Sequence, residues 1–210
     1  MIETSTPFER LYRLGVPLPW DLNGPTPFVC ELKERGLIHG DVLDAGCGTG
    51  ENALYLATCN FPVVAFDGAP SAIEKARAKA VARGIEADFR VADARELAGF
   101  HGAFDTIIDS GLFHVLGRKS DRLKYTASLR RMCRRGGTLY LLAFRANDNM
   151  CLRWADHLRS TLRSILRGFG THGVSEEELQ VAFREGWAIE SLERRVEGSF
   201  PFYLAHIRRV

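Results

Sequence analysis

Val42-Leu43-Asp44-Ala45-Gly46-Cys47-Gly48-Thr49-Gly50 passes from a short apolar run into a turn with glycine at every second position. Asp41 to Ala45 reads as a short strand buried on both faces. Beyond the turn, Glu51 to Cys59 carries Ala53, Leu56 and Ala57 at helical spacing. The segment is therefore a strand, a glycine turn and a helix. The same unit recurs downstream. Pro62 to Phe66 is an apolar run ending at Asp67, and Ser71 to Arg83 is helical and stopped by Gly84. Ala87 to Val91 and Phe104 to Asp109 read as a third and a fourth strand. Ser120 to Arg134 reads as a helix, and Thr138 to Phe144 as a fifth strand opening after Gly136-Gly137.

Strands alternating with helices imply a parallel sheet covered on both faces, an α/β, Rossmann-like doubly wound fold. The chain end differs. After a helix at Glu176 to Arg184, the strands Trp187 to Arg195 and Phe202 to Arg208 have no helix between them. They predict a hairpin, and so a seven-stranded, mostly parallel sheet with an antiparallel final strand. Upstream, residues 15–28 are rich in Pro and Gly and read as an extended arm, followed by a short helix from Phe28 to Arg35.

The 210 residues, 46% hydrophobic and 26% charged with a net charge of +2, suit one domain with a sizeable core and exclude a disordered chain. No apolar run reaches membrane-spanning length, and no basic flank with an apolar stretch follows Met1. Five cysteines at 30, 47, 59, 133 and 151 form neither a disulfide framework nor a CxxC zinc pattern. The expectation is a cytoplasmic chain in a reducing compartment, with no resident metal. Charge is uneven. Arg118 to Arg135 holds eight Lys or Arg against one acid, Asp121. Solvated helix faces explain such a band, and so does an anionic partner.

In a doubly wound sheet, ligands bind beyond the carboxyl ends of the strands. Those ends carry Asp44, Asp67, Asp93 and Asp109. The glycine spacing departs from G-x-G-x-x-G, and the turn lacks the Lys of a phosphate-gripping loop. It therefore suits a ligand without pyrophosphate. Asp44 at its entry suits a cationic group such as an amino-acid ammonium. Asp67, 17 residues past Gly50, is placed to accept from vicinal ribose hydroxyls. The alternative for Asp67, a helix N-cap, is weaker because Ser71 can serve as that cap after Pro70.

The stretch Val42 to Gly50 resembles the first motif of class I S-adenosylmethionine-dependent methyltransferases. The likeness continues through Asp67, Val91-Ala92-Asp93-Ala94, Phe104 to Asp109 and Arg135-Gly136-Gly137. It implies that Asp44 and the Gly46 and Gly48 backbone hold the methionine part, and Asp67 the ribose. Asp93 would accept the adenine amino group, with Ala94 beside the ring. Asp109, Ser110 and Gly111 would border the methionine end and the acceptor. Cys47, Gly50, Asn52 and Gly68 complete the cofactor set, with Cys47 a small residue fitting the turn and not a reactive thiol. Arg135 stands where the family usually has Pro, which alters a turn and not the chemistry.

A narrower resemblance joins Leu18-Pro19-Trp20-Asp21, Pro25-Thr26-Pro27 and Asp109 to Val115 to bacterial small-molecule methyltransferases near the thiopurine, halide and thiol group. It implies an N-terminal arm folded over the cofactor, with Trp20 near the sulfonium. An aromatic anchor for the arm is the other reading of Trp20. His114 is the candidate acid or base, with a structural histidine as the alternative. Leu112, Phe113, His114 and Trp154 are the expected acceptor lining. One domain over 1–210 follows: arm and helix at 1–36, cofactor core at 37–144, inserted helical segment at 145–174, and closing elements at 175–210. The expected reaction is methyl transfer to O, N or S of a small aromatic or heterocyclic molecule, by a monomer or homodimer. An RNA or protein methyltransferase using the basic faces is one alternative. A non-catalytic cofactor-binding protein is the other. Against the former, the fourth strand ends in Asp-Ser-Gly-Leu and not in Asn/Asp-Pro-Pro-aromatic. Asp148-Asn149 with Asp109 invites a metal-dependent reading, disfavoured because the pair sits past the strand end.

Trp154, Ala155, Leu158, Leu162, Ile165, Leu166 and Phe169 recur at helical spacing, with Arg159, Arg163 and Arg167 on another face. This insertion reads as a lid or wall over the acceptor; core packing and a dimer contact are the alternatives. If it is a lid, deleting 151–168 impairs acceptor turnover far more than cofactor binding. Equal loss of both counts against it.

Overall fold

The apolar run Val42–Ala45 forms β1, buried along its whole length at the middle of a seven-stranded sheet. The computed structural model describes residues 7–15, 17–97, 102–146, 173–197 and 200–210. Around β1 stand β2 (Val63–Asp67), β3 (Asp88–Val91), β4 (Phe104–Ser110), β5 (Cys133–Phe144), β6 (Trp187–Glu197) and β7 (Phe200–Arg209). Their spatial order is β3-β2-β1-β4-β5-β7-β6. β1 to β5 pair in parallel, while β7 runs antiparallel to both β5 and β6. The expected hairpin ending is therefore present, and β7 is wedged between β5 and β6.

Side chains along the strands alternate between two cores. Leu43, Ile107, Leu139 and Leu141 face one core, which also takes Tyr125, Leu129 and Met132 of the helix Lys119–Met132. Val42, Ala65, Ile108 and Tyr140 face the other. There they meet the helices Pro27–Glu34, Glu51–Thr58 and Pro70–Arg83. This period-two alternation is what helices on both faces require. In chain order the helices are α1 (Pro7–Leu14), α2 (Pro27–Glu34), α3 (Glu51–Thr58), α4 (Pro70–Arg83), α5 (Leu112–Val115), α6 (Lys119–Met132) and α7 (Glu176–Ala182).

Three local features differ from the sequence expectation. First, α1 precedes the arm. It starts at a proline, and Leu11 and Tyr12 are buried together with Ala69 and Ala72 at the start of α4. Second, Ser71 is not the cap of α4. Ala69 holds that position, and the Ser71 amide and hydroxyl donate to the Glu9 carboxylate of α1 at 2.9 and 2.6 Å. Third, α6 ends at Met132 and β5 begins at Cys133, so the glycine pair lies inside the strand. Pairing jumps there, from Phe104 opposite Cys133 to Thr106 opposite Thr138. A Cβ on Gly137 would meet Cys133 Sγ, the Arg134 carbonyl and the Asp105 carbonyl at 2.8–2.9 Å. Only a glycine passes that bulge. Arg135 is exposed beside it.

Gly50 ends the first turn at φ +86°, and a Cβ there would lie 2.7 Å from Phe89 and 2.8 Å from Ala76. Gly50→Ala combines left-handed strain with overpacking, so it should destabilise the fold by about 2–4 kcal/mol. Urea denaturation measures this, and a loss below about 1 kcal/mol would contradict the packing described.

Candidate active site

Parallel pairing brings the carboxyl ends of β1, β2 and β4 side by side, with Ala45 opposite both Phe66 and Asp109. Three carboxylates gather there. Asp44 is 1% exposed, and its Oδ2 has no hydrogen-bond partner. Burial pushes its pKa up to about 7, and Asp109 and Asp67 push the same way against the Ala53 amide. Asp67 is half-buried. It accepts from the Gly48 amide at 2.9 Å and the Ala69 amide at 2.8 Å. Burial raises its pKa too. Asp109 is fully buried and accepts from the Gly111, Leu112 and Phe113 amides at 3.0, 2.7 and 3.1 Å, and from the Tyr125 hydroxyl at 2.8 Å. Its pKa rises to about 6 through burial, which those donors partly offset.

The glycine turn is held from below by the Phe66 carbonyl, which takes the Gly46 and Cys47 amides at 2.9 Å each. Gly46 and Gly48 have φ of +70° and +54°. A Cβ on Gly46 would strike Leu112 at 2.7 Å, and one on Gly48 would strike the Tyr12 hydroxyl at 2.8 Å. The space freed by these glycines is thus taken by protein on both sides. Cys47 carries a thiol whose pKa burial raises well above its usual value, so it is no reactive thiolate. Gly68 contributes its amide to Asp67.

The N-terminal arm lies across this turn. Trp20 donates from Nε1 to the Tyr12 hydroxyl at 3.0 Å and meets Phe8 edge-on, so it anchors the arm. Asp21 accepts from Thr49 at 2.8 Å, and Lys79 reaches Thr49 and Glu51 at 2.7 and 2.8 Å. Asn52 Oδ1 receives the Thr26 amide and hydroxyl at 2.8 and 3.1 Å, so it fastens the arm to α3. Between arm and turn remains a cavity of about 60 Å³ bordered by Trp20, Asp21, Gly46, Cys47, Asn52 and Ser110. A larger hollow of about 1150 Å³ lies at the other ends of the strands, near Pro62, Ala87 and Phe104. It is on the wrong side of a doubly wound sheet for the ligand. Tyr12, Asp21 and Thr49 join the site without a role read from the sequence. The spacing Phe8, Leu11, Tyr12 after Pro7 is the signal that points to α1.

The loop after β4 corrects several expectations. Asp109 does not face a ligand, because its carboxylate is taken up by the start of α5. Phe113 is wholly buried, packed on Phe183 at 5.5 Å with the Arg122 guanidinium over its ring, so it belongs to the core and not to an acceptor lining. His114 is 6% exposed, and its Nδ1 accepts from the Phe144 amide at 3.4 Å. Burial and Arg122 lower its pKa to about 3. The contact leaves the ring neutral with its hydrogen on Nε2, and the lowered pKa makes it a weak proton acceptor. Ser110, Gly111 and Leu112 stay half-buried at the turn. Asp93 caps the one-turn helix Ala94–Glu96 through the Arg95 amide and pairs with the Arg95 guanidinium at 2.5 Å, which holds its pKa low. Its carboxylate is engaged by Arg95 and remains partly exposed, with Ala94 buried behind it. Trp154, Asp148, Asn149 and the expected lid lie outside the described residues. Of the basic band, Arg122 is buried against Glu178, Arg134 pairs with Asp41 and Asp105, and Arg131 donates to Ser128.

A family model for a methyltransferase domain matches residues 42–137. The 2-heptyl-1-hydroxyquinolin-4(1H)-one methyltransferase of Mycobacteroides abscessus is 35% identical over 193 residues, spanning 91% of this chain and 78% of that protein. A solved structure described as "Conversion of a Disulfide Bond into a Thioacetal Group during Echinomycin Biosynthesis" superposes with a TM-score of 0.83 at 38% identity, covering 96% of this chain and 90% of the other. The Burkholderia thailandensis 1,6-didemethyltoxoflavin-N1-methyltransferase, solved with 1,6-didemethyltoxoflavin and S-adenosylhomocysteine, shares the fold with a TM-score of 0.70 at 18% identity over 97% of this chain and 85% of that one. The chain belongs to the methyltransferase family. It is an S-adenosylmethionine-dependent enzyme of small-molecule methylation on the Rossmann-like fold. No helix among the described residues is long and apolar enough to cross a membrane.

The donor set fits that cofactor at one point above all. An unpartnered, buried carboxylate oxygen on Asp44 asks for a cation or a donor. Without one, burial draws Asp44 toward the neutral acid, and burial pushes Asp109 in the same direction. A folded pKa raised above the unfolded one gives stability that is full at low pH and is lost as pH climbs through the folded value. The free protein should therefore lose a share of its thermal stability as pH rises from the ordinary carboxylate value of 3.8 through about 6 and about 7. A rise of that size on Asp44 corresponds to a few kcal/mol. Asp44→Asn should flatten the decline and weaken S-adenosylhomocysteine binding together. Thermal melts against pH check this, and parallel curves for the two proteins would count against it.

Proposed function

We propose that the acceptor is a planar heteroaromatic compound bearing an acidic hydroxyl, of the N-hydroxy or phenolic kind, methylated at oxygen. The neutral, pinned imidazole of His114 carries this reading. A histidine in that state is a weak base for an acceptor's proton, and Asp109 is already bound by four donors. An acceptor that ionises by itself needs no base. The half-buried Leu112 supplies apolar contact beside it. The hydroxyquinolinone in the name of the M. abscessus relative is of this kind.

In this reading the Asp44 Oδ2 receives the methionine ammonium, and the Gly46 and Gly48 backbone borders that moiety. Asp67 accepts from the ribose with lone pairs left over by its amide bonds. Trp20 closes the site from the arm. The cavity of about 60 Å³ between arm and turn is well short of the roughly 300 Å³ that small-molecule sites begin at, so it borders only part of the cofactor. Bound S-adenosylmethionine supplies an activated methyl group, and the protein contributes alignment and exclusion of water.

A panel of N-hydroxyquinolones, phenols, thiols and halides, read out as S-adenosylhomocysteine, tests the assignment. Turnover should be highest for hydroxyls ionised at the assay pH and should follow the ionised fraction. Turnover confined to thiols or halides would overturn it. Asp67→Ala should weaken S-adenosylhomocysteine binding at least about tenfold by calorimetry, as expected for lost hydrogen bonds to a charged group.

A further inference from the structure

Tyr125, in the middle of α6, is fully buried and donates its hydroxyl to Asp109 Oδ2 at 2.8 Å. The same carboxylate gathers the Gly111, Leu112 and Phe113 amides. α5 is four residues long and follows Gly111 at φ +113°. A single turn does not hold itself. Its start is set by Asp109, and its far side by the contact of His114 with the Phe144 amide. Leu112 in turn lies where Gly46 leaves room for no Cβ. The orientation of one carboxylate therefore fixes where residues 110–114 stand against the glycine turn, and Tyr125 ties that carboxylate to α6.

We propose that Tyr125 is a positioning residue for methyl transfer, holding Asp109 oriented so that residues 110–112 are set against the acceptor. This rests on the reading of that loop as the acceptor side of the site. Asp109 is faced by the Asp44 carboxylate from β1, by the Tyr125 hydroxyl from α6 and by the loop amides; Arg122 of α6 stands beyond the Phe113 ring. Asp44 opposes the Asp109 anion, and the Tyr125 hydroxyl leads the donors that favour it. Tyr125 stays protonated, because burial and Asp109 raise its own pKa. Without the hydroxyl, the Asp109 pKa moves from about 6 toward neutrality, and the loop amides face a carboxyl that is partly neutral at pH 7.

The test is Tyr125→Phe in the full chain, with S-adenosylmethionine saturating and an acceptor that does not titrate between pH 5.5 and 9. Acceptor kcat/KM should fall about tenfold at pH 7 and return to within about threefold of wild type near pH 9. S-adenosylhomocysteine affinity should change less than about twofold, a difference too small to reflect a lost hydrogen bond. Asp109→Asn, which cannot titrate, should abolish the acid limb of the profile and stands in if the Phe variant does not fold. A loss independent of pH, or an equal loss of cofactor affinity, overturns the positioning role. Leu112→Ala separates the premise from the inference. Unchanged acceptor KM in that variant removes the acceptor-loop reading and the proposal with it. A raised KM there, beside a wild-type profile for Tyr125→Phe, removes the positioning role alone.

Discussion

Close approach to the glycine turn is the constraint on which the remainder of the structure depends. Gly46 admits Leu112 from the β4 side, Gly48 admits Tyr12 from the N-terminal helix, and Gly50 admits Phe89 and Ala76 from β3 and α4. Each of these contacts lies at a distance no Cβ tolerates. The turn is thus a joint at which three separate parts of the chain meet. Its left-handed backbone makes those approaches and also aims the turn's amides at the Phe66 carbonyl and the Asp67 carboxylate. A change at the turn would be felt in the arm, the acceptor loop and the second core at once.

The same crowding explains the carboxylates. Asp44, Asp67 and Asp109 stand within electrostatic reach of one another, with burial raising the pKa of each. Two of them are partnered by amides and a hydroxyl, while Asp44 keeps an oxygen without a partner. A buried anion in that condition is costly in the free protein and becomes favourable when a cation arrives. The arrangement stores ligand affinity in the free fold and lowers its stability by doing so. The arm, meanwhile, is fastened by contacts at its margin: Glu9 to Ser71, Asp21 to Thr49, and Thr26 to Asn52. These hydrogen bonds are part-buried, and two of them end on carboxylates.

Much of this was legible in the sequence, for reasons that differ by residue. The mostly parallel sheet and the two-faced core follow from apolar runs alternating with helical spacing, a signal spread over many residues. Asp44 was legible because a carboxylate between a buried strand and a glycine turn has little to do there except meet a positive group. Asp109 was legible as important but not as to its task. A strand-end acid that binds a ligand and one that caps the next turn are the same residue type at the same position. Phe113 and His114 failed for a related reason. Spacing places them after β4, yet whether a side chain points into the core depends on the Asp109 bonds that start α5. Tyr125 left no mark at all, since an aromatic on a core-facing helix reads as packing. Its hydroxyl matters through a partner 16 residues away.

The acid–base side of the reaction follows from the same geometry. A histidine that is buried, tilted against the Phe144 ring at 4.6 Å and bonded through Nδ1 is held as a neutral donor. The contact that ties its Nδ1 to β5 occupies the nitrogen that would take a proton, so the ring serves the position of the loop. That choice suits a reaction in which the methyl donor is already activated and the acceptor brings its own negative charge, because alignment is then the larger share of what a protein can add. Under the proposed reading of the acceptor, selectivity falls on the acceptor's own acidity, so compounds of like shape and unlike pKa are told apart without any contact that distinguishes them.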